Sequence, residues 1–472
     1  MSLTFTRRFT LEDQTAFATL SGDWNPLHVD PIAARRTLFG APVVHGAHLA
    51  LWALETTLGE SMQALQLDTC RAAFRRPAYL EQPMTTQVIE RHDDSVQLVS
   101  TMDGACVLEL TARFGRVDRR RFKPSSRRWA QRESPVDVEA DALRAARGTV
   151  EAALDPDLAL QMFPALATHW DDVLSELLAS TRIVGMLCPG LHSVYAGFDL
   201  RHSETGATAV SYRVANTSLK YSLATLQFDG PTLTGTLKTF VRPRPSPRLS
   251  MAAVQRAVTA GEFASQRALV VGGSRGLGEA FAKAIAAGGG DVCVTYQRGR
   301  DDAESVCADI QATGSHARAV QLDVRAFDNV ALEYAPTHVY YFATPFIKID
   351  KTRTFDTEMF ELYCQYYVTA FHRLVEWVAR RAPHATVWAP STEFLDGAEP
   401  GTAAYCSAKA AMEELGRHLS KRLPIRVLTP RLPRTATDQT VGLIPTKTAD
   451  PVDIALACLR SIAQPNIKNG SP

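Results

Sequence analysis

Several features that mark particular protein classes are missing from this 472-residue chain. Its formal net charge is only +1, so we expect no polybasic surface for nucleic acid. The eight cysteines form no Cys-x-x-Cys pair or other metal-ligand spacing, which predicts reduced thiols and neither a metal site nor disulfides. No run of about 18 apolar residues occurs, and we expect no membrane partner. The segment from Met1 to Arg8 lacks a signal-peptide core, which predicts a cytoplasmic protein.

What is present is an ordinary globular composition on a long chain. Apolar residues make up 46% and charged residues 21% of the sequence, and these values are typical of soluble enzymes. A chain of this length exceeds what one hydrophobic core usually spans. We therefore expect roughly two to four domains.

The first quarter of the chain predicts one buried helix followed by an antiparallel sheet. Apolar residues recur with helical spacing between Val43 and Ser61. Asp103-Gly104 is a strong signal for a two-residue hairpin between the last two strands. The predicted strands cover residues 71–80, 84–91, 95–102 and 105–115.

The same order of elements recurs farther along, with a helical stretch from Pro164 to Ser180 and a last hairpin at Asp229-Gly230. We interpret the recurrence as a tandem copy of one small domain. Arginine-rich residues 116–132 and proline-rich residues 242–248 are the candidate linkers. The strands of this copy are predicted near 192–201, 208–216, 221–228 and 231–241.

A carboxylate and an imidazole, Asp23 and His28, stand five residues apart around an Asn25-Pro26 step. Proline is excluded from helix interiors, so this step predicts a break between helices or a turn. Adding water across a double bond conjugated to a thioester needs one group that takes a proton from water and one that delivers a proton to carbon. Asp23 and His28 can supply both. The alternative is structural, with Asp23 as a helix cap and His28 as a partly buried histidine.

Residues 17–31, together with Val43-Val44-His45-Gly46, resemble the MaoC-like (R)-specific enoyl-CoA hydratases of the hot-dog fold. The resemblance implies that Asp23 and His28 are the catalytic pair. It also implies that the Gly46 amide, at the start of the buried helix, polarises the thioester carbonyl. A helix amino terminus suits that task because its amides are unpaired and its dipole favours an oxyanion.

Two histidines near these motifs are left out of the catalytic set. Packing explains His45 at least as well as catalysis does. The second copy lacks the Asp-x-Asn-Pro-x-His motif, so we expect it to serve as scaffold and acyl-pocket wall, with His192 in a structural role. The arginines of residues 116–132 could bind coenzyme A phosphates or an acidic carrier protein, although charged linkers are usually only solvated.

The back half opens with an apolar strand that ends in a glycine-rich loop. Residues 268–278 read Ala-Leu-Val-Val-Gly-Gly-Ser-Arg-Gly-Leu-Gly, and a helical stretch and a second buried strand follow. Alternating strands and helices predict a doubly wound parallel sheet. Tyr405 and Lys409 stand four residues apart, on one helix face. An ammonium beside a phenol favours the phenolate, so Tyr405 is a candidate proton donor or acceptor at a carbonyl oxygen.

Residues from Arg267 to about Ala463 resemble the short-chain dehydrogenase/reductases in this combination of glycine loop and Tyr-x-x-x-Lys. The resemblance implies a catalytic serine about a dozen residues before the tyrosine, for which we choose Ser391 and keep Thr392 as the alternative. The charge of Arg275 and Arg298 predicts NADP(H), because an NAD enzyme usually has an acid after the second strand. The candidate cofactor-binding residues are Gly272, Ser274, Arg275, Gly276, Leu277, Gly278, Arg298 and Asp323.

Three positions depart from the reductase pattern. The family's Asn-Asn-Ala-Gly segment is replaced by residues 341–345, its helix asparagine falls near Tyr366, and Pro430-Arg431 stands where Pro-Gly is usual. These changes predict an altered substrate pocket, or a domain that binds nucleotide without turnover. One aromatic cluster has helical spacing and is expected in the core or on a dimer-forming helix: Tyr363, Tyr366, Tyr367, Phe371 and Trp377.

These observations predict a multidomain α+β and α/β chain. A tandem (double) hot-dog domain is expected over residues 1–118 and 119–248, and a Rossmann-type doubly wound parallel sheet over 262–472. The expected function is bifunctional: NADP-dependent 3-oxoacyl reduction by the back half, and 3-hydroxyacyl dehydration or enoyl hydration by the front half. The alternatives are an (R)-specific hydratase with a 3-hydroxyacyl dehydrogenase, and a non-catalytic NADP(H)/acyl sensor. We expect acyl-CoA or acyl-carrier-protein thioesters as substrates, and a homodimer through the reductase domain as the assembly.

Overall fold

The chain divides into two compact units in a computed structural model, one built mainly from residues up to Arg244 and the other from residues beginning at Pro245. The structure describes residues 3–115, 122–129, 132–203, 205–329, 334–349, 354–440, 442 and 446–463. The expected domain boundary at 118–119 lies outside the described residues. Within these ranges, no helix combines the length and the apolar character that crossing a bilayer requires.

The first unit is built on one ten-stranded sheet in which all neighbouring strands are antiparallel. Its order is β1-β3-β4-β5-β2-β9-β12-β11-β10-β7, so strands from the two halves of the unit meet where β2 pairs with β9. The short β6 and β8 pair separately. The bounds are β1 Thr4–Arg8, β2 Gln66–Phe74, β3 Pro83–His92, β4 Ser95–Met102, β5 Ala105–Gly115, β6 Ser125–Ser126, β7 Arg147–Val150, β8 Ala153–Leu154, β9 Ser193–His202, β10 Val210–Ser218, β11 Leu223–Asp229 and β12 Leu233–Val241.

Two long helices, one from each half, contact each other and the sheet. They are α4 and α8, and their apolar side chains join those of the strands in one continuous core. A π-helical turn over Ile183–Leu187 extends α8. The helices are α1 Leu11–Ser21, α2 Pro26–Val29, α3 Pro31–Ala34, α4 Gly46–Leu58, α5 Ala140–Leu143, α6 Pro156–Met162, α7 Pro164–His169 and α8 Asp171–Arg182.

The predicted helices are present with different bounds. The first begins at Gly46 instead of Val43, because the amides of Val43 and Val44 bond to carbonyl oxygens outside the helix. It ends at Gly59, whose positive φ of 45° turns the chain into a 3-10 segment. The second is divided at Trp170 into α7 and α8. The edge strands β1 and β7 were not predicted.

The two Asp-Gly steps behave differently. Asp103 and Gly104 both have positive φ and form the predicted two-residue hairpin. The second prediction is wrong in detail, because Asp229 still pairs within the sheet and the Gly230 amide closes a longer loop onto the Leu233 carbonyl. A two-residue turn at Asp229-Gly230 would need a donor at Pro231, and proline has none.

The expected linker over residues 242–248 also needs correction. Arg242 is buried, and its amide donates to the His192 carbonyl. Arg244 forms ion pairs with Asp137 and Glu139 at 3.0 and 2.7 Å. The first residues of this segment therefore belong to the first unit, and the connection begins after them.

The second unit is a six-stranded, wholly parallel sheet of order β15-β14-β13-β16-β17-β19, which confirms the predicted doubly wound sheet. Successive residues of β13 enter two different cores, since Leu269 and Val271 pack on one face and Ala268 and Val270 on the other. The strands are β13 Arg267–Val271, β14 Asp291–Tyr296, β15 Ala317–Gln321, β16 His338–Tyr341, β17 Thr386–Trp388, β18 Ser391–Thr392, β19 Arg426–Leu428 and β20 Arg431–Leu432.

Helices cover both faces of this sheet. A π-helical segment over Gln365–Ala370 joins α12 to α13. The aromatic cluster on these helices is buried in the core, as expected. The helices are α9 Met251–Ala257, α10 Gly276–Ala287, α11 Arg300–Gln311, α12 Thr357–Cys364, α13 Phe371–Arg381, α14 Ala403–Arg422 and α15 Pro451–Ala463.

Candidate active sites

The loop that carries Asp23 is formed by three local signals. Helix α1 ends at Gly22, whose φ of 73° turns the chain away from the helix axis. Asn25 then caps α2 through its side chain, and Pro26 takes the first helical position, where a missing amide costs nothing. The Asn-Pro step is thus a helix start, and it places His28 on α2 close to Asp23.

Asp23, His28 and His45 converge, and one carboxylate oxygen and one ring nitrogen from each histidine lie within 4.8 Å of one another. Nδ1 of His28 donates to the Val43 carbonyl oxygen at 2.8 Å, which leaves Nε2 as an acceptor. The His45 ring stacks on that of His28 at 3.9 Å. Its Nδ1 lies 2.9 Å from Gln14 Oε1 and its Nε2 lies 3.0 Å from the Asp23 carbonyl oxygen. Both nitrogens of His45 are engaged in these contacts, and its ring supports that of His28.

Burial decides the protonation of this pair. It raises the pKa of Asp23 to about 6, against opposing hydrogen bonds from Thr181 and the Asn25 amide. Burial lowers the pKa of His28 to about 4, and the positive charge of Arg242 acts in the same direction. At neutral pH the site therefore presents a carboxylate and a neutral imidazole, two proton acceptors side by side.

The second half of the unit completes the site with contacts that sequence reasoning missed. The Thr181 hydroxyl donates to Asp23 Oδ2 at 2.6 Å. Gly185, in the π-helical turn, approaches so closely that a Cβ there would lie 2.1 Å from Asp23 Oδ1. Asn25 Nδ2 donates to the carbonyl oxygens of Gly185 and Gly190 at 2.8 and 3.1 Å. A glycine inside a helical stretch was the one signal in the sequence that could have indicated this contact.

Gly46 is the first residue of α4, where no preceding turn supplies a carbonyl for its amide. A Cβ at this position would lie 2.8 Å from the Phe74 ring. Phe74 contacts Tyr195 and Phe198, with ring centroids 5.4 and 6.3 Å away. The Phe74 ring of β2 thus lies beside Gly46, whose amide the resemblance assigns to the thioester carbonyl, and aromatic side chains of β9 pack against that ring.

The remaining polar candidates of the first unit lie beside carboxylates. His192 Nε2 lies 3.6 Å from Asp137, burial lowers the pKa of this imidazole, and its structural role stays a prediction. The arginines of the 116–132 segment that fall within the described ranges each face a carboxylate, which weakens the case for phosphate binding there. The pairs are Arg127 with Glu151 at 3.0 Å, Arg128 with Asp155 at 3.6 Å and Arg132 with Asp30 at 3.4 Å.

In the second unit the glycine loop forms a cradle that side chains would fill. Gly272 and Gly276 have φ of 78° and 59°, the region that favours glycine. A Cβ at Gly278 would lie 2.5 Å from the Gly272 carbonyl oxygen. Ser274 and Leu277 belong to the same loop and first turn, and α10 begins at Gly276. A loop that ends on a helix amino terminus brings backbone amides to a phosphate, so the residues present fit a dinucleotide.

The three charged residues predicted to bind the cofactor lie in different surroundings. Arg275 Nη1 donates to Asp438 at 3.0 Å, and Arg298 is exposed after β14. Asp323 follows β15 and accepts hydrogen bonds from Arg325. Burial acts to raise the pKa of Asp323, but these hydrogen bonds outweigh it and lower the pKa overall.

Tyr405 and Lys409 are buried one turn apart on α14. Lys409 Nζ donates to the Pro390 carbonyl oxygen at 2.6 Å and lies 3.9 Å from the centre of the Tyr367 ring. Burial lowers the pKa of Lys409 to about 7, against the effect of Glu413. Burial also raises the pKa of Tyr405, so the lowering expected from the ammonium does not prevail. Tyr405 is a phenol at neutral pH, and hence a proton donor.

Ser391 and Thr392 form β18, and successive strand residues point to opposite faces. The Thr392 hydroxyl interacts with Tyr405 and opposes the effect of burial on its pKa. The Ser391 hydroxyl is buried and interacts with Glu413, where it helps to lower the pKa of that carboxyl group. The choice of Ser391 stays a prediction, and these contacts favour Thr392.

The departures from the reductase pattern meet at Tyr405. Tyr363 and Tyr367 contact its ring edge-on at 5.6 and 5.9 Å. The Tyr367 hydroxyl bonds to that of Thr344, 2.5 Å away, within the segment that replaces Asn-Asn-Ala-Gly. Tyr367, next to the expected position 366, is therefore the residue that faces Lys409.

The family described as MaoC like domain matches residues 2–100, and the short chain dehydrogenase family matches residues 266–337. The chain carries a MaoC-like domain and a short-chain dehydrogenase domain. Both resemblances drawn from the motifs are confirmed. The MaoC match includes Asp23, His28 and Gly46, whereas Thr181 and Gly185 lie outside it.

The curated relatives match over short stretches. The (R)-specific enoyl-CoA hydratase of Aeromonas caviae is 52% identical over 44 residues, which are 9% of this chain and 33% of that protein. The 3-oxoacyl-[acyl-carrier-protein] reductase of Synechocystis is 47% identical over 66 residues, 14% of this chain and 27% of that protein. These matches thus span a third or less of each relative.

Solved structures of short-chain dehydrogenases resemble part of this chain. A short-chain dehydrogenase from Burkholderia cenocepacia in complex with NADP is 25% identical, with a TM-score of 0.38, and covers 42% of this chain and 90% of that chain. The short-chain dehydrogenase match at 266–337 includes the glycine loop, Arg298 and Asp323. Tyr405 and Lys409 lie beyond its end, so their assignment depends on spacing and geometry.

Proposed function

We propose that this chain is a bifunctional enzyme of acyl thioesters. The MaoC-like domain interconverts 3-hydroxyacyl and enoyl thioesters, and the short-chain dehydrogenase domain reduces a 3-oxoacyl thioester with NADPH. One observation carries the proposal: the buried Asp23 and the half-buried His28 converge, as two proton acceptors, beside the amino terminus of α4. Substrates are thioesters of coenzyme A or of an acyl carrier protein.

The front reaction follows from the protonation of the pair. A water molecule donates one hydrogen bond to Asp23 and the other to Nε2 of His28, keeps the proton that faces His28, and bonds through its oxygen to the β-carbon of the enoyl group. Asp23 takes the proton that this oxygen releases and delivers it to the α-carbon, so that one water is added in total. The Gly46 amide stabilises the negative charge that develops on the thioester oxygen. Dehydration is the same path reversed.

We infer that the first unit is a tandem pair of hot-dog domains, residues 1–118 and 119–248. The strand order supports this, because β2, β5, β4, β3 and β1 extend from the centre on one side as β9, β12, β11, β10 and β7 do on the other. Only the first half holds the acid and base. The second half acts on them through Thr181 and Gly185.

For the back reaction, NADP(H) supplies a hydride to the carbonyl carbon when it is bound. Residues 272–278 would hold its pyrophosphate, with Arg275 and Arg298 near the 2′-phosphate and Asp323 near the adenine. Tyr405 donates its proton to the carbonyl oxygen as the alcohol forms. A tyrosine whose pKa burial raises suits this direction, because it stays protonated until a basic oxygen arrives.

The two reactions share an intermediate. Reduction of a 3-oxoacyl thioester gives the 3-hydroxyacyl thioester that the front site dehydrates. NADPH is usually kept reduced in cells, and Tyr405 is a donor, so both points favour reduction followed by dehydration.

The decisive experiment measures each reaction separately on the full chain. Loss of the conjugated thioester absorbance of crotonyl-CoA reports hydration, and NADPH consumption with a 3-oxoacyl thioester reports reduction. We expect Asp23→Asn to abolish the first alone and Tyr405→Phe to abolish the second alone. Wild-type protein that binds NADPH and is silent in both assays would contradict the proposal and favour a sensor.

A further inference from the structure

A cation lies buried beside the front site without a neutralising partner. Arg242, directly after β12, is only 5% exposed. Its Nη2 donates to the Leu191 carbonyl oxygen at 2.6 Å, and its Nε is buried without a hydrogen bond. Among the residues whose positions are described, no carboxylate forms an ion pair with it. Arg182, a half-buried arginine near this site, is by contrast paired with Glu133 at 3.0 Å.

Arg242 is connected to the catalytic loop. Its side chain shares the Leu191 carbonyl with Asn25, whose Nδ2 lies 3.4 Å from the same oxygen. Asn25 is the residue between Asp23 and His28 that caps α2. The positive charge of Arg242 also reaches His28, since it helps to lower the pKa of that imidazole. The unpaired guanidinium therefore belongs to the surroundings of the reacting groups.

An unpaired buried charge is costly, because the guanidinium has lost its water and gained no anion. A carboxylate that enters the site offsets this cost and can accept two parallel hydrogen bonds from the guanidinium. The phosphates of coenzyme A or a carrier arm are large, hydrated and multiply charged, and they suit exposed cations. A guanidinium that is 5% exposed suits a single carboxylate that arrives with the acyl group.

We propose that the front site accepts enoyl thioesters whose acyl group carries a second carboxylate, and that Arg242 binds this carboxylate. The inference rests on the proposed hydratase function and specifies its substrate class. It also gives the second half of the unit a role in recognition, since Arg242 comes from the end of its strand β12.

The test compares crotonyl with fumaroyl thioesters, in which a carboxylate replaces the methyl group of crotonyl. Each acyl group is presented on coenzyme A and on N-acetylcysteamine, a carrier that has no phosphate. The measured quantity is the ratio of kcat/KM for fumaroyl to that for crotonyl. We expect Arg242→Met to lower this ratio by about 10²-fold on both carriers, the loss expected for a buried charged pair, and Arg242→Lys to lower it less. Arg244→Met, an exposed neighbouring arginine, is the matched control and leaves the ratio unchanged.

Arg242→Met also removes a positive charge near His28, which changes the hydration of crotonyl and fumaroyl thioesters by the same factor. The ratio of their kcat/KM values does not depend on that change. If Arg242→Met lowers kcat/KM equally for the crotonyl and the fumaroyl thioesters, the inference is overturned. Hydration of crotonyl-CoA by the wild type would still support the proposed function. The inference is also overturned if Arg242→Met loses the preference of the wild type for coenzyme A thioesters over N-acetylcysteamine thioesters. Arg242 would then bind the phosphates of the carrier. Calorimetry of succinyl- against butyryl-N-acetylcysteamine measures binding without turnover, and equal affinities refute the inference. Measurable hydration of crotonyl-CoA by each variant checks that its first unit is folded.

Discussion

The two candidate sites are assembled in different ways. In the front site the acid and base come from one short stretch, yet two residues that contact the Asp23 carboxylate come from the other half of the unit: Thr181, whose hydrogen bond opposes the effect of burial on the pKa, and Gly185. In the back site Tyr405 and Lys409 share one helix, and burial raises the pKa of one and lowers that of the other. The comparison teaches that a motif identifies reacting groups, whereas their protonation depends on what covers them. One site holds two acceptors and the other a donor.

The largest effect is expected from Gly185→Ala, which tests whether the second half shapes the front site. The new Cβ would lie 2.1 Å from Asp23 Oδ1, so the carboxylate must move away from its partner. Misplacement of a catalytic group predicts a loss of about 10³-fold in crotonyl-CoA hydration. NADPH-dependent reduction by the same protein is the control and stays unchanged. Hydration within tenfold of wild type would show that the contact is unimportant.

The next prediction sharpens the back site by comparing its two adjacent hydroxyls. Thr392 interacts with Tyr405 whereas Ser391 does not, so Thr392→Val is expected to lower kcat for 3-oxoacyl reduction by about 10²-fold, as loss of a donor at a developing oxyanion does. Ser391→Ala serves as the matched variant and changes kcat by less than about threefold. The reverse order of effects would restore Ser391 as the catalytic hydroxyl.

A third prediction concerns the cost of holding Asp23 as a buried carboxylate. Its pKa is about 6 in the folded protein against 3.8 ordinarily, so the folded state holds a proton that the unfolded state releases. Stability therefore falls as pH rises from about 4 to 6, and Asp23→Asn, which cannot ionise, removes this loss. We expect the variant to be more stable by on the order of 2 kcal/mol at pH 7.5.

Differential scanning calorimetry of wild type and Asp23→Asn at pH 5.0 and 7.5 measures this difference through the unfolding transition of the first unit. The stabilisation should be larger at pH 7.5 than at pH 5.0. An equal difference at both pH values would mean that the carboxylate is not penalised by burial. Thr86→Val, at a buried hydroxyl away from the site, is a control without a pH-dependent difference.

The smallest effect is expected from Thr181→Val. The Thr181 hydroxyl stabilises the Asp23 carboxylate, so its removal raises the pKa of Asp23 from about 6 by about one unit. Hydration depends on the carboxylate, so the midpoint of its pH profile rises equally and activity at pH 6.5 falls about threefold. Thr181→Ser, which keeps the hydroxyl, should restore the wild-type profile. A loss of activity with an unmoved midpoint would contradict the pKa argument.

Much of the fold could be predicted from local patterns. Alternating apolar residues placed strands β3 to β5 and β9 to β12 close to their observed positions, and the glycine loop with its flanking strand indicated the parallel sheet. The failures have local causes too. Pro231 prevents a two-residue turn at Asp229-Gly230, and Trp170 interrupts the helix predicted from Pro164. Edge strands such as β1 alternate weakly because one side of each has no partner.

The residues of the candidate sites also divide into those that local sequence patterns could identify and those that they could not. Asp23, His28, Tyr405 and Lys409 could be found because each pair lies within five residues and carries a recognisable motif. Thr181, Gly185 and Arg242 could not be found, since no spacing along the chain connects them to those motifs. Arg242 even stands in a proline-rich stretch that is typical of a linker.

By itself, the order of residues determined which side chains are candidates for catalysis, because acid, base, phenol and ammonium are properties of residue types at short spacings. It also determined the two fold classes, through apolar periodicity. Only the tertiary structure decided the proton state of those groups and the charge around them. Burial and contacts between distant segments set a pKa, and these arise when β2 pairs with β9 and the two halves close over one carboxylate.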